Sequence, residues 1–341
     1  MKKVSLDALS VLLENLTKTH TVIAPIEKAG VVDFGIWSKD SVLRLDELKT
    51  AKSPKNAFFP QVEEMIKFHV QGKNIDIKPT DVADEDFVLF GVRPCDAKSF
   101  ELLDRVFLSE PQDPFYKARR EHGTVVSLAC NRPEESCFCT NFGIDAAEPC
   151  GDVAAWISDG FIYFKANTEK GEKFVSLISG DECEENAVDE LKNEIRKITS
   201  KLPFANLSLD GFDGEHLMEK FDSPEWEKLS KGCLGCGTCT FVCPTCQCYD
   251  VRDFDTGNGI QRYRCWDSCM FSDFTLMAHG TNRPTQLERF RQRFMHKLVY
   301  FPSNNEGLYS CVGCGRCVTK CPQSINIIKV IKALGEVKEN V

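Results

Sequence analysis

The chain has 341 residues, 18 of them cysteine, and sets 42 basic against 51 acidic side chains for a formal net charge of −9. Length alone predicts two domains of ordinary size, and the acidic balance argues against nucleic acid as a partner, because phosphate binding shows as a basic excess. An apolar share of 42% with 27% charged residues excludes a disordered or fibrous chain.

At the N-terminus Met1-Lys2-Lys3 leads into Leu6, Leu9, Leu13 and Leu16, a helical spacing that predicts an amphipathic helix over 6–16 and no export signal. Further helices are predicted over 60–70, 97–108 and 186–202. Strands are predicted over 21–25, 31–37, 87–92, 124–129, 161–166 and 173–178, from runs rich in Val, Ile and Phe bounded by Gly or Pro. This alternation predicts an α/β domain with a mixed sheet over 1–205. A Gly- and Asp-rich stretch within 206–230 reads as a linker, and Ser223-Pro224-Glu225 starts a short helix carrying Trp226 and Leu229. Residues 231–341 then form a cysteine-rich domain. Its longest insertion, between Cys243 and Cys311, looks helical around 265–279 and 284–301, which favours an all-α two-cluster domain over a small β-rich ferredoxin. No apolar run reaches the ~18 residues that would span a bilayer.

Six cysteines lie in residues 1–232 and twelve in 233–341. Disulfide scaffolds are short and secreted, whereas this chain reads as cytoplasmic, where thiols stay reduced and dense cysteine means metal. Cys233-x2-Cys236-x2-Cys239-x3-Cys243-Pro244 is the bacterial ferredoxin run, and Cys311-x2-Cys314-x2-Cys317-x3-Cys321-Pro322 repeats it. Three thiolates wrap one cubane while the fourth cysteine leads to the other cluster. Gly235, Gly237, Gly313 and Gly315 let the backbone close on sulfide. The expected ligand sets therefore cross: Cys233, Cys236, Cys239 with Cys321, and Cys311, Cys314, Cys317 with Cys243. Zinc ribbons also use C-x2-C, but in two pairs and not as runs of four ending in proline.

In the first half, the predicted strand 87–92 runs into Cys95 and the strand 124–129 into Cys130. If the two are parallel, both loops lie at one carboxyl edge of the sheet, with Cys137 and Cys139 close behind. Cys95, Cys130, Cys137 and Cys139 make a candidate third cluster site, with zinc or plain burial of free thiols as alternatives. Cys150 is a possible replacement ligand. Cys246, Cys248, Cys265 and Cys269 fall between the two runs, and Cys246 follows Cys243 closely enough to crowd a cluster and tune it. Cys183 sits in an acidic stretch and reads as incidental. No G-x-G-x-x-G and no P-loop occurs, so the chain shows no nucleotide cradle of its own. Of two charged patches, the acidic one at 181–190 suits a helix start. The basic one, Arg283, Arg289, Arg291, Arg293 and Lys297, either rests in water or offsets the charge of a cubane.

Six segments occur in a telling order: GVRPCDAKSF (91–100), CNRPEESCFCTNFG (130–143), CLGCGTCTFVCPTCQCYDV (233–251), CWDSCM (265–270), RQRFMHKLVYF (291–301) and CVGCGRCVTKCP (311–322). The series resembles the iron–sulfur A subunit of anaerobic sulfite reductase and the similar beta subunit of sulfhydrogenases, over most of the chain. The resemblance implies a non-catalytic electron-transfer subunit carrying [4Fe-4S] clusters. A separate flavin subunit would take hydride from NAD(P)H, and a third subunit, a sulfite reductase in the first reading and a nickel–iron hydrogenase or heterodisulfide-type enzyme in the second, would receive the electrons; a zinc-binding assembly protein is the reading from another class.

Overall fold

The computed structural model describes residues 1–335 apart from Leu48, so residues 336–341 of the expected C-terminal domain lie outside the described residues. The first part of the chain supplies β1 (Lys2–Ser5), α1 (Leu9–Leu16), β2 (Thr21–Lys28), β3 (Val31–Ile36), β4 (Val42–Leu43), β5 (Val62–Gln71), β6 (Asn74–Pro79) and β7 (Phe87–Val92). Then come α2 (Pro94–Phe107), α3 (Pro114–His122), β8 (Gly123–Leu128), β9 (Val153–Ser158), β10 (Phe161–Ala166), α4 (Glu169–Leu177), β11 (Asp181–Glu182) and α5 (Asp189–Thr199). Among the described residues, nine strands form one sheet in the order β11-β1-β10-β9-β8-β7-β2-β3, with β4 on β2. β2, β7, β8 and β9 run parallel and the flanking pairs antiparallel, so the sheet is mixed, as expected.

β7 is buried at every position, the pattern of a central parallel strand covered on both faces. Val88 and Phe90 face the layer of α1 and α4, with Leu12, Leu13, Leu16 and Phe174. Leu89 and Val92 face α2, packing with Ala97, Phe100, Leu103 and Phe107.

Two predicted elements change type. Residues 173–178 lie at the end of helix α4, not in a strand: Thr168 accepts from the Gly171 amide as an N-cap, and Phe174 is the helix's anchor in the core. Residues 60–70 lie largely in strand β5 and not in a helix, because the backbone finds strand partners on both edges, β6 on one and a strand from the cysteine-rich half on the other.

β5 and β6 join a second, four-stranded sheet in the order β12-β13-β5-β6, where β12 (Tyr249–Asp255) and β13 (Gly259–Trp266) form a hairpin in the insertion between the cysteine runs. Where a helix around 265–279 was expected, Cys265 and Trp266 end β13, and turns follow to His279. This sheet therefore draws strands from both sides of the 206–230 stretch. It is pinned by a buried charge cluster: Arg264 donates to Glu63 at 2.6 Å and also pairs with Asp113, while Arg119 pairs with Glu63.

Outside that hairpin, the cysteine-rich half is helical. It contains α6 (Leu217–Phe221), α7 (Glu225–Ser230), α8 (Thr238–Phe241), α9 (Gln286–Met295), α10 (Phe301–Asn304), α11 (Arg316–Thr319) and α12 (Ile327–Gly335). Ser223 accepts from the Glu225 amide at 3.4 Å just ahead of α7, whose N-cap position falls on Pro224, one residue later than its sequence predicts. α9 opens with a capping box, Thr285 with Glu288, and runs on through a wider turn, His296–Tyr300, into α10. Trp226, Phe290, Phe294, Leu298 and Ile331 form the core of this half.

Candidate iron–sulfur site

Each ferredoxin-type run is a loop followed by a single helical turn, α8 or α11, started by a glycine in the left-handed region: Gly237 at φ 72° and Gly315 at φ 75°. Cys233, Cys236 and Cys239 from the first run and Cys321 from the second line one cavity, closed by Met270, Phe290, Phe294 and Ile325. N–H groups point at these sulfurs: Gly235 N and Gln286 Nε2 donate to Cys233 Sγ at 3.5 and 3.4 Å, and Ile325 N to Cys321 Sγ at 3.3 Å. Cys236 is the exposed member, its thiol held below the ordinary range by hydrogen bonds from Thr238.

Cys311, Cys314, Cys317 and Cys243 form a second, deeper group. Burial pushes the Cys314 thiol up to about 12; Arg316 opposes this, and Cys243 and Cys317 add to it. Burial raises Cys311 as well, with Cys317 and Cys243 again among its charged neighbours.

The parallel register of β7 and β8 brings the Cys95 and Cys130 loops to one edge of the sheet. Burial raises Cys130 to about 11 and Cys139 to about 12, and Cys137 adds to both shifts. Cys139 also feels Cys130 and Cys314, and Cys95 feels Cys314 and Cys139. Cys95, Cys139 and Cys314 pack around one apolar cluster with Leu102 and Ile144. The four first-half cysteines thus gather directly beside the second group. The junction is tight: Phe138 N donates to Gly313 O at 2.9 Å, and a Cβ on Gly313 would stand 2.5 Å from the Phe138 carbonyl. Arg316 bridges it, donating twice to Asp96 at 2.6 and 2.7 Å, with both side chains almost fully buried.

The remaining cysteines divide. Cys246 donates its thiol hydrogen to Cys243, which lowers Cys243 and raises Cys246. Cys269 does the same for Cys248, which falls to about 7. Cys265 lies apart among Asp250, Arg252 and Asp267. Cys150 Sγ donates to Pro94 O at 3.6 Å, the carbonyl just before Cys95, and has Glu101 and Lys98 as charged neighbours. The amide of Cys183 donates to Met1 O.

Charge shows what these thiols suit. Lys55, Arg293 and Lys297 are 2–3% exposed, and no carboxylate among the described residues pairs with them. Arg293 Nε has no partner at all. Burying an unpaired cation costs several kcal/mol, so these three need anions, and cysteine thiolates are what surrounds them. Burial alone would lower Lys297, yet the Cys243, Cys246 and Cys311 sulfurs more than reverse it. At Lys55 burial wins and the amine falls to about 8. Of the basic patch on α9 and the turn after it, Arg293 and Lys297 therefore turn inward, while Arg291 stacks over Phe221, 3.7 Å from the ring centroid. Sequence reasoning missed Lys55 and the Asp96–Arg316 pair; the basic residue inside each segment was visible, its partner elsewhere in the chain was not.

Among the described residues, no group of three or more His, Cys, Asp or Glu is spaced to hold a single metal ion. The Cys233, Cys236, Cys239 and Cys321 thiols are spread around a cavity, as ligands of a polynuclear cluster must be, and the unpaired cations match its net negative charge. The donor set fits [4Fe-4S] clusters better than zinc.

Residues 232–325 match the family model of a 4Fe-4S dicluster domain, a span that holds both runs. No solved structure matches the chain. It is 36% identical to the sulfhydrogenase 2 subunit beta of Pyrococcus furiosus over 329 residues, 95% of this chain and 94% of that one. Cluster-binding motifs and full-length similarity together make this an iron–sulfur electron-transfer protein that belongs to the sulfhydrogenase beta-subunit family.

Proposed function

We propose that this chain is the electron relay of a cytoplasmic hetero-oligomeric oxidoreductase, passing single electrons between an NAD(P)H-oxidising flavin subunit and a catalytic subunit. The observation that carries this reading is the file of three thiol groups, from the exposed Cys236 through the buried second group to the sheet edge at Cys95 and Cys130. In it, Cys233, Cys236, Cys239 and Cys321 hold one cubane, and Cys311, Cys314, Cys317 and Cys243 hold the second. Cys95, Cys130, Cys137 and Cys139 hold a third cluster. Residues 231 onward act as the cluster domain and 1–205 as the domain that supplies the third site.

For the catalytic partner, the similarity to a sulfhydrogenase subunit favours a hydrogenase-type subunit. A sirohaem sulfite reductase is the second reading, supported by the motif series at 233–251 and 265–270. Anaerobic purification from the native host with mass spectrometry of co-purifying chains tests both: a nickel–iron subunit supports the first, a sirohaem protein the second, and neither refutes the relay role in such complexes. Iron content separates two cubanes, roughly eight irons per chain, from three, roughly twelve.

A further inference from the structure

Lys297 stands on the wide turn that extends α9, where the helix opens to i→i+5 spacing, and its amine is carried into the interior. Its Nζ donates to Thr245 Oγ1 at 2.8 Å and to Ser310 O at 3.0 Å. Thr245 Oγ1 in turn donates to Ser310 O at 2.9 Å and lies 3.2 Å from Cys243 Sγ, a pair in which either atom can donate. All three residues are almost wholly buried, Lys297 at 3% exposure and Thr245 and Ser310 at 1%.

Thr245 has one hydroxyl proton and two candidate acceptors, the Ser310 carbonyl and the Cys243 sulfur. Lys297 also donates to that carbonyl and occupies a lone pair of the hydroxyl. A cluster-ligated Cys243 thiolate has no proton to give, so the hydroxyl can turn to it while Lys297 keeps the carbonyl paired. The ammonium charge thus reaches Cys243 through one polarised hydroxyl, in a setting where low dielectric keeps it unscreened.

We propose that Lys297, acting through Thr245, raises the reduction potential of the cluster held by Cys243, Cys311, Cys314 and Cys317. The inference rests on the crossed ligand sets proposed above. Reduction places one electron, drawn from the relay's donor, on a cluster that already carries net negative charge. A fixed cation and an O–H···S bond stabilise the reduced form more than the oxidised one, which raises the potential. Lys55, whose Nζ donates to Cys246 O at 2.7 Å, adds charge on the same side. The first group has a solvent-facing thiol at Cys236, and its own buried cation is Arg293, which lines that cavity and donates to Cys239 O.

The test is potentiometric titration of the anaerobically prepared full chain with its clusters, followed by electron paramagnetic resonance. Cys243→Ser identifies the inner cluster, because an oxygen ligand alters its spectrum. Lys297→Met is expected to lower the midpoint of that cluster alone, and Thr245→Val to lower it in the same sense. Lys297→Arg and Thr245→Ser, which keep the charge and the hydroxyl, are expected to hold it near the wild-type value. Unchanged midpoints in an iron-replete Lys297→Met protein overturn the proposal, as does an arginine variant that falls as far as the methionine one. If Lys297→Met loses iron, the comparison of Thr245→Val with Thr245→Ser decides: equal midpoints overturn the route through the hydroxyl. A shift confined to the cluster that Cys243→Ser leaves untouched overturns the ligand sets themselves.

Discussion

Asp96 is the buried carboxylate whose removal is expected to cost most. It sits in the first turn of α2, is 1% exposed, and receives both guanidinium nitrogens of Arg316 at 2.6 and 2.7 Å. Asp96→Leu removes two charge-assisted bonds and leaves Arg316 buried with only uncharged acceptors at Thr50 besides the cysteine sulfurs. Uncompensated buried charge of this kind costs about 3–5 kcal/mol, a shift of roughly two to four powers of ten in the folding equilibrium. The double variant Asp96→Leu/Arg316→Met removes the orphaned charge, so most of the loss is expected to return. The assay is anaerobic urea unfolding followed by tryptophan fluorescence, with iron measured on each variant, since Arg316 also faces Cys314 and Cys95. A single variant within about 1 kcal/mol of wild type, or a double variant as weak as the single, would falsify the argument.

Other expectations follow from the same geometry. Gly313 and Gly143 share the left-handed region, at φ 58° and 68°, but only Gly313→Ala puts a Cβ 2.5 Å from a backbone carbonyl, that of Phe138, so it is expected to lose iron while the equally strained Gly143→Ala keeps it. Iron and visible absorption decide this pair. Cys130→Ser should lower the iron content by about four per chain if the third site is occupied, while Cys150→Ser leaves it unchanged; equal values would remove the third cluster. Burial, aided by Lys297 and Arg283, holds His296 down at about 4, below its ordinary 6.5. Because the folded state resists its protonation, the stability it protects is present above pH 6.5 and lost as pH falls toward 4, at most about 3 kcal/mol. His296→Gln should flatten that part of the stability profile, and a profile parallel to wild type would refute it.

How much of this was legible in the sequence depended on how local the signal was. The two cysteine runs carry their chemistry in twelve contiguous residues, and β7, an unbroken apolar run, reads as a buried parallel strand. Capping signals such as Ser223-Pro224-Glu225 survive to within one residue because they act within one turn. Failures came where one pattern serves two geometries. Val62, Met65 and Ile66 fit a helix stripe while Val62, Ile66 and Phe68 fit a strand face, and the edge offered by β13 decides between them. Residues 173–178 read as a strand because the N-cap at Thr168 lies outside the window. The charge pairs were out of reach for a plainer reason: Asp96 and Arg316 are 220 residues apart, and each alone looks like an ordinary surface residue.

The mixed parentage of the second sheet has a consequence for how the chain comes into being. β5 and β6 leave the ribosome early, yet the strand that completes them, β13, is made much later. The ties around it, Lys55 to Cys246 and Phe59 to Trp266, span 191 and 207 residues. Until then a hairpin with Ile75 and Ile77 turned to solvent has an open edge, the kind of surface that pairs with the wrong neighbour. The same delay falls on the thiols, because the second cysteine run is made after β13 and the crossed ligand sets proposed above need both runs. A cluster domain cut free at residue 231 would lose β5, Lys55 and Asp96 together, and with them its partners for β13, Cys246 and Arg316.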